Sequence, residues 1–279
     1  MRFVTVATED QGYFRYLLKS CKRHDIRLDV LGWGQKWRGF NWRTQLLLEY
    51  LKRLPRNEIV CVIDAYDVII LEDALKIEVR FRDLCTKYHS NIIVGSENPL
   101  NSFVLFSARL VFGACKGQLP NAGTYIGEAR HLLEMLGKFR QVSVKDDADD
   151  QKIMTDVCEK HPSIMHIDVK NELFMTVNSS FKEVRPKVID ERIVLDDGLK
   201  PCLLHANGNT RIDGALRDLG YDVPDAFVKY MNGYQRKSLV KKVIYYGQAF
   251  LPWILVLVAV LYLVRTVMTT NTLTSRSIV

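Results

Sequence analysis

The sequence predicts an α/β protein with an open sheet flanked by helices, followed by one apolar helix near the C-terminus. Three observations predict it. Strand-like and helix-like stretches alternate from the first residues onward. The run Ile59-Val60-Cys61-Val62-Ile63 is apolar throughout, as strands buried on both faces of a sheet are. The stretch from Val243 to Val264 carries no formal charge. The boundaries that follow are a globular domain over 1–235, a basic segment over 236–242, a transmembrane helix over 243–264 and a short tail over 265–279.

Taken in order, Phe3–Ala7 reads as the first strand. Gly12–His24 has helical spacing, with Tyr13, Leu17, Leu18 and Cys21 on one face, and Arg27–Leu31 is strand-like again. Thr44–Leu54 reads as a helix stopped by Pro55, and Glu58–Ile63 as the central strand. A helix over Glu78–His89 and a strand over Ile92–Gly95 continue the alternation. In such sheets ligands bind beyond the carboxyl ends of the strands, so residues just after a strand are the first place to look for chemistry.

The C-terminal segment is about as long as a helix needs to cross a ~30 Å hydrocarbon layer. Tyr245 and Tyr246 sit near one edge of it, and Pro252 is tolerated in a span more readily than in a soluble helix. Arg236, Lys237, Lys241 and Lys242 precede it, whereas Arg265 and Arg276 follow it. This bias predicts a single-pass protein with a C-terminal anchor, its large domain cytosolic and a lipid bilayer among its partners. The opening Met1-Arg2-Phe3-Val4-Thr5-Val6-Ala7-Thr8 is strand-like and too short for a signal peptide. Six scattered cysteines form no CxxC pair, and reduced thiols are the simpler expectation. The net charge of +7 comes without basic runs interleaved with aromatics or zinc-finger spacing, which argues against a nucleic-acid partner.

The strongest chemical pattern is Asp64-Ala65-Tyr66-Asp67, directly after the central apolar run. Two carboxylates there are positioned to share a divalent cation such as Mg²⁺ or Mn²⁺; the same residues also serve to cap a turn. Three later segments add to it. Asn121-Ala122-Gly123-Thr124-Tyr125-Ile126-Gly127 reads as a small-residue turn before a helix. Lys145 to Gln151 packs four carboxylates into five positions, either as catalytic groups or as an exposed acidic loop capping a helix near Gln151. His205-Ala206-Asn207-Gly208 ends an apolar run with a histidine and a turn.

In this order and spacing the segments resemble the glycosyltransferase domain of the procollagen lysyl hydroxylase/glucosyltransferase (PLOD-like) family. Thr5 to Thr8, Gly12-Tyr13, Gly34 to Gly39, Asp64 to Ile69, Asn121 to Gly127, Asp149-Asp150-Gln151 and His205 to Gly208 carry the resemblance, over about residues 1–230. It implies a GT-A-like open mixed sheet, a UDP-sugar donor and Mn²⁺ (or Mg²⁺). By matching positions, Asp64, Asp67 and His205 are the metal ligands. Tyr66 stacks on the uracil, Val6 and Thr8 line the base pocket, and Trp37 lies near the nucleotide sugar. Asn121, Asn207 and Gly208 join the donor site, and Asp149 and Asp150 are the acidic pair near sugar and acceptor. The sequence departs from the family where a glycine-rich stretch is replaced by Phe40-Asn41-Trp42-Arg43, and Lys36 or Arg43 is the substitute for lost phosphate contacts. The family's oxygenase domain has no counterpart in these residues. The resemblance implies transfer of a hexose to a hydroxyl on a hydroxylysine-type protein acceptor or a glycan. The competing readings are a non-catalytic membrane-anchored scaffold and a nuclease-like enzyme using clustered carboxylates.

Overall fold

In the computed structural model the described residues are 1–97, 102–146, 148–179 and 183–236. The elements of the unit Met1–Met231 follow in chain order. β1 is Arg2–Val6, α1 Phe14–Arg23, β2 Leu28–Leu31, α2 Phe40–Leu51, β3 Ile59–Ile63 and β4 Val68–Ile70. Then come α3 Ala74–Tyr88, β5 Ile92–Ser96, α4 Ser102–Phe112, β6 Pro120–Glu128, α5 Ala129–Val142 and α6 Asp150–Lys160. Last are β7 His166–Asp168, β8 Phe174–Thr176, β9 Val188–Ile189, β10 Arg192–Ile193, β11 Leu203–His205 and α7 Asp213–Asp218.

The all-apolar run of β3 is explained by two cores. Val60 and Val62 face one cluster with Leu47 and Leu51 of α2, Leu132 and Leu136 of α5 and Met154 of α6. Ile59, Cys61 and Ile63 face the other, with Phe14 and Leu17 of α1 and Ile77, Phe81 and Leu84 of α3. Alternate side chains of a strand point to opposite faces, so a strand covered on both sides has no position for a polar residue.

The six-stranded sheet has the order β2-β1-β3-β6-β5-β7. β1 is parallel to β2 and β3, and β5 is parallel to β7. β6 runs antiparallel between β3 and β5, which makes the sheet mixed. A three-stranded sheet, β4-β11-β8, and the β9–β10 pair complete the strands.

Several expectations change. Asn121–Gly127 is not a turn before a helix: it is part of β6, and its small residues allow close packing from both sides. On α1, Tyr13, Leu17 and Cys21 are buried but Leu18 is exposed, because the buried stripe follows every fourth residue and Leu18 lies beside it. α2 starts at Phe40 rather than Thr44, because Gly39 turns the chain with φ 112°. A Cβ on Gly39 would lie 1.8 Å from the Asp146 carbonyl oxygen, so only glycine fits there. Cys115 and Cys158 form a disulfide, against the expectation of reduced thiols; Cys21, Cys61, Cys85 and Cys202 are free. Val243–Val264 and the basic Lys237, Lys241 and Lys242 lie outside the described residues. Among the described residues no helix is long and apolar enough to cross a membrane.

Candidate active site

Strand register brings Asp64, Asp67 and His205 together. Asp64 leaves β3 and Asp67 precedes β4, so the four-residue turn between two buried strands fixes both carboxylates. β11 pairs antiparallel with β4, placing His205 opposite Val68, and the Ala206 N–H donates to the Asp67 carbonyl at 2.7 Å. One ligand atom from each of the three residues lies within 4.8 Å of the others. His205 Nε2 is 3.3 Å from Asp67 Oδ1 and 3.8 Å from Asp64 Oδ2.

The floor of this cluster is β6. Because β6 runs against β3, its first residues continue past the end of β3, and the Asp64 N–H donates to the Gly123 carbonyl at 2.7 Å. A Cβ on Gly123 would lie 2.4 Å from His205 Cε1 and 2.5 Å from Asp64 Oδ2. Glycine here lets carboxylate and imidazole settle on the strand.

His205 is 1% exposed and neither of its ring nitrogens has a hydrogen-bond partner among the described residues. Buried polar atoms are nearly always satisfied, so an unsatisfied imidazole facing two carboxylates fits a metal ligand better than a packing residue. Burial pulls the His205 pKa down, but Asp67, then Asp64 and Glu97, more than offset this and the net direction is up. Two carboxylate oxygens and an imidazole nitrogen suit a divalent cation.

The acidic helix is attached through Arg43. This side chain on α2 is buried, and its guanidinium reaches Asp64 Oδ1 at 2.8 Å and Asp150 Oδ2 at 2.7 Å. Burial pushes the Asp150 carboxyl up to about 7, against the pull of Arg43, with Asp64 and Asp149 adding to the rise. Asp149 caps α6, accepting from the Lys152 N–H at 3.1 Å, and its pKa is raised by burial. Asn41 donates to the Val144 carbonyl at 2.7 Å, so the first turn of α2 grips the acidic loop at Asn41 and Arg43.

The Thr8 N–H donates to the Tyr66 hydroxyl at 3.0 Å, which ties the end of β1, with Val6 as its last residue, to the turn between the carboxylates. Phe14 packs edge-on against Tyr66 at 6.3 Å and stacks on Trp33 at 5.2 Å, extending an aromatic surface from Tyr66. Lys36 and Trp37 lie on the exposed loop before α2, where Trp37 packs edge-on against Phe40 and Trp42.

Sequence reasoning missed Glu97, at the end of β5. Its carboxylate accepts from Asn121 Nδ2 at 2.8 Å, from Asn178 Nδ2 at 2.7 Å and from Asn207 Nδ2. One carboxylate thus joins β6, the segment after β8 and the turn Asn207–Asn209, in which Gly208 takes the left-handed φ of 69°. Asn121 Oδ1 in turn accepts from the Gly123 N–H at 2.9 Å. The available signal is a weaker form of the one at Asp64: a carboxylate just after a buried strand, here single where Asp64 has Asp67 beside it. Arg43 was weighed only as a phosphate contact, and its place between two aspartates was not legible.

Fold and site define a mixed α/β domain that gathers two carboxylates and an imidazole, a candidate cation site, just beyond the end of a central strand. The chain belongs to the PLOD GT domain family, whose model matches residues 1–232. It is 28% identical over 246 residues to the human multifunctional procollagen lysine hydroxylase and glycosyltransferase LH3, covering 80% of this chain and 31% of that protein. It is 25% identical over 227 residues to the Caenorhabditis elegans multifunctional procollagen lysine hydroxylase and glycosyltransferase, covering 75% and 30%. To the Drosophila melanogaster procollagen-lysine,2-oxoglutarate 5-dioxygenase it is 27% identical over 236 residues, covering 76% and 31%. The chain therefore spans about a third of the length of these relatives.

Proposed function

We propose that this domain transfers a hexose from a UDP-sugar to a hydroxyl of a protein or glycan acceptor, with Mn²⁺ or Mg²⁺ held by Asp64, Asp67 and His205. The observation that carries this reading is the convergence of those three side chains at the ligand edge of the sheet, in a chain of a glycosyltransferase family. A divalent cation there offsets the diphosphate charge and helps the nucleoside diphosphate leave. Tyr66, backed by Phe14 and tied to Thr8, is the surface for the base. Asn121 and Asn207, held by Glu97, and the Gly208 turn face the donor. Asp150 takes the acceptor proton as the acceptor oxygen bonds to the anomeric carbon and the bond to UDP breaks. A carboxyl that titrates near neutrality matches that task. Asp149, which caps α6, shapes the same loop. The Cys115–Cys158 disulfide favours an oxidising compartment for the domain over the cytosolic face predicted from charge bias.

The test is UDP release and transfer across UDP-glucose, UDP-galactose and related donors, with and without Mn²⁺, alongside the double variant Asp64→Ala/Asp67→Ala. We expect cation-dependent UDP binding in the parent and none in the double variant. Absence of both transfer and cation-dependent UDP binding in the parent protein overturns the reading.

A further inference from the structure

Arg43 is the side chain that touches both halves of the site. Its guanidinium donates from one terminal nitrogen to Asp64 Oδ1 and from the other to Asp150 Oδ2, and the nitrogen that holds Asp150 also donates to the Ala122 carbonyl at 3.3 Å. It is buried, with 7% of its surface exposed. Asp64 uses its two oxygens differently: Oδ1 is taken by Arg43, whereas Oδ2 faces His205. The guanidinium therefore leaves one carboxylate oxygen directed at the candidate cation site and holds the other. On the opposite side it fixes the first residue of α6. Lysine could not do both, because its single ammonium lacks the planar fork that grips two carboxylates in set directions.

We propose that Arg43 is a positioning residue that holds the cation ligand Asp64 and the proton acceptor Asp150 in one frame. This rests on the reading of Asp150 as the base in the proposed transfer. Two further groups act on Asp150 across this junction, Asp64 and Asp149, and both oppose its ionisation. Arg43 is the cation that counters them.

The experiment compares parent, Arg43→Lys and Arg43→Gln on two readouts. The first is the titration of Asp150 by carboxyl NMR of aspartate-labelled protein, with Asp150→Asn to assign the resonance. The second is the split between kcat and donor KM at saturating Mn²⁺. In Arg43→Gln the Asp150 midpoint should rise above its parent value of about 7. At saturating Mn²⁺ its kcat should fall about 100-fold, more than donor KM rises, because the base is displaced, and the Mn²⁺ concentration for half-maximal rate should rise as Asp64 loses the partner on its Oδ1. Arg43→Lys should fall between this variant and the parent on both readouts. If Arg43→Gln does not fold, Arg43→Lys carries the test alone. A midpoint that stays at the parent value in the folded variants overturns the proposal, as does a parent-like kcat in a variant whose midpoint has moved. If the parent transfers no sugar, the proposed function fails, and the NMR midpoint decides separately whether Arg43 holds Asp150.

Discussion

Asp64, Asp67 and His205 are placed by strand register, whereas Asp149 and Asp150 ride on the first turn of a helix that an arginine ties to the sheet. The cation cluster has the β4–β11 pairing on one side and the Gly123 backbone beneath it, so its geometry is set by main-chain hydrogen bonds. The acidic pair lies outside any strand, beside Gln151, whose side chain accepts from the Ala122 N–H of β6 and donates to the Pro120 carbonyl. Its position comes from side chains: Arg43 on Asp150, Asn41 on the preceding loop, and the cap that Asp149 makes to its own helix. A backbone-built site tolerates changes in surrounding side chains but not a new atom in its floor. A side-chain-built site is vulnerable at each tie.

The largest effect that separates the two regions is expected for Asp150→Asn. Loss of the proton acceptor should lower transfer about 10²- to 10⁴-fold while cation-dependent UDP binding persists. The same residue sets a pH dependence. Its midpoint is raised from 3.8 to about 7, so the ionised form that accepts a proton accumulates only as pH rises through about 7. Transfer by the parent should climb through that range and level off above it, and a kcat/KM profile checks both the position and the sign.

Gly123→Ala attacks the other region. The added methyl would occupy space held by His205 and Asp64, and Mn²⁺ affinity measured by calorimetry should drop about 10- to 100-fold. Parent-like affinity would mean that the floor yields and that register alone does not fix the cluster. Asp149→Ala sharpens the comparison with the smallest change. Losing the cap should cost about 1 kcal/mol of stability, read by chemical denaturation, and should reduce transfer far less than Asp150→Asn does. Equal losses of transfer in the two variants would make Asp149 a partner in the chemistry.

The legible parts of the site were those where a local pattern has one physical reading. An apolar strand followed at once by two carboxylates marks a ligand edge, and β3 with Asp64 and Asp67 fits that pattern. What was hidden depends on distant partners. The glycines of Asn121–Gly127 look like turn residues until the strand is seen wedged between β3 and β5. Glu97 is one carboxylate among many until three asparagine amides converge on it. Arg43 reads as a phosphate contact because no local pattern reveals a guanidinium shared by two aspartates. Nor does spacing alone pair Cys115 with Cys158, since they lie 43 positions apart with β6 and α5 between them.

The antiparallel pairing of β4 with β11 also has a consequence for how the molecule matures. As the chain emerges from its N-terminus, two of the three candidate cation ligands appear early and the third only with the last strand of the domain. Domains form in the direction of synthesis, so a nascent chain spends most of its elongation with an incomplete ligand set. If the cluster holds the proposed cation, tight binding would begin only when β11 has docked beside β4. The ion would act as a seal on a finished fold, adding stability at the last step and distinguishing complete molecules from truncated ones.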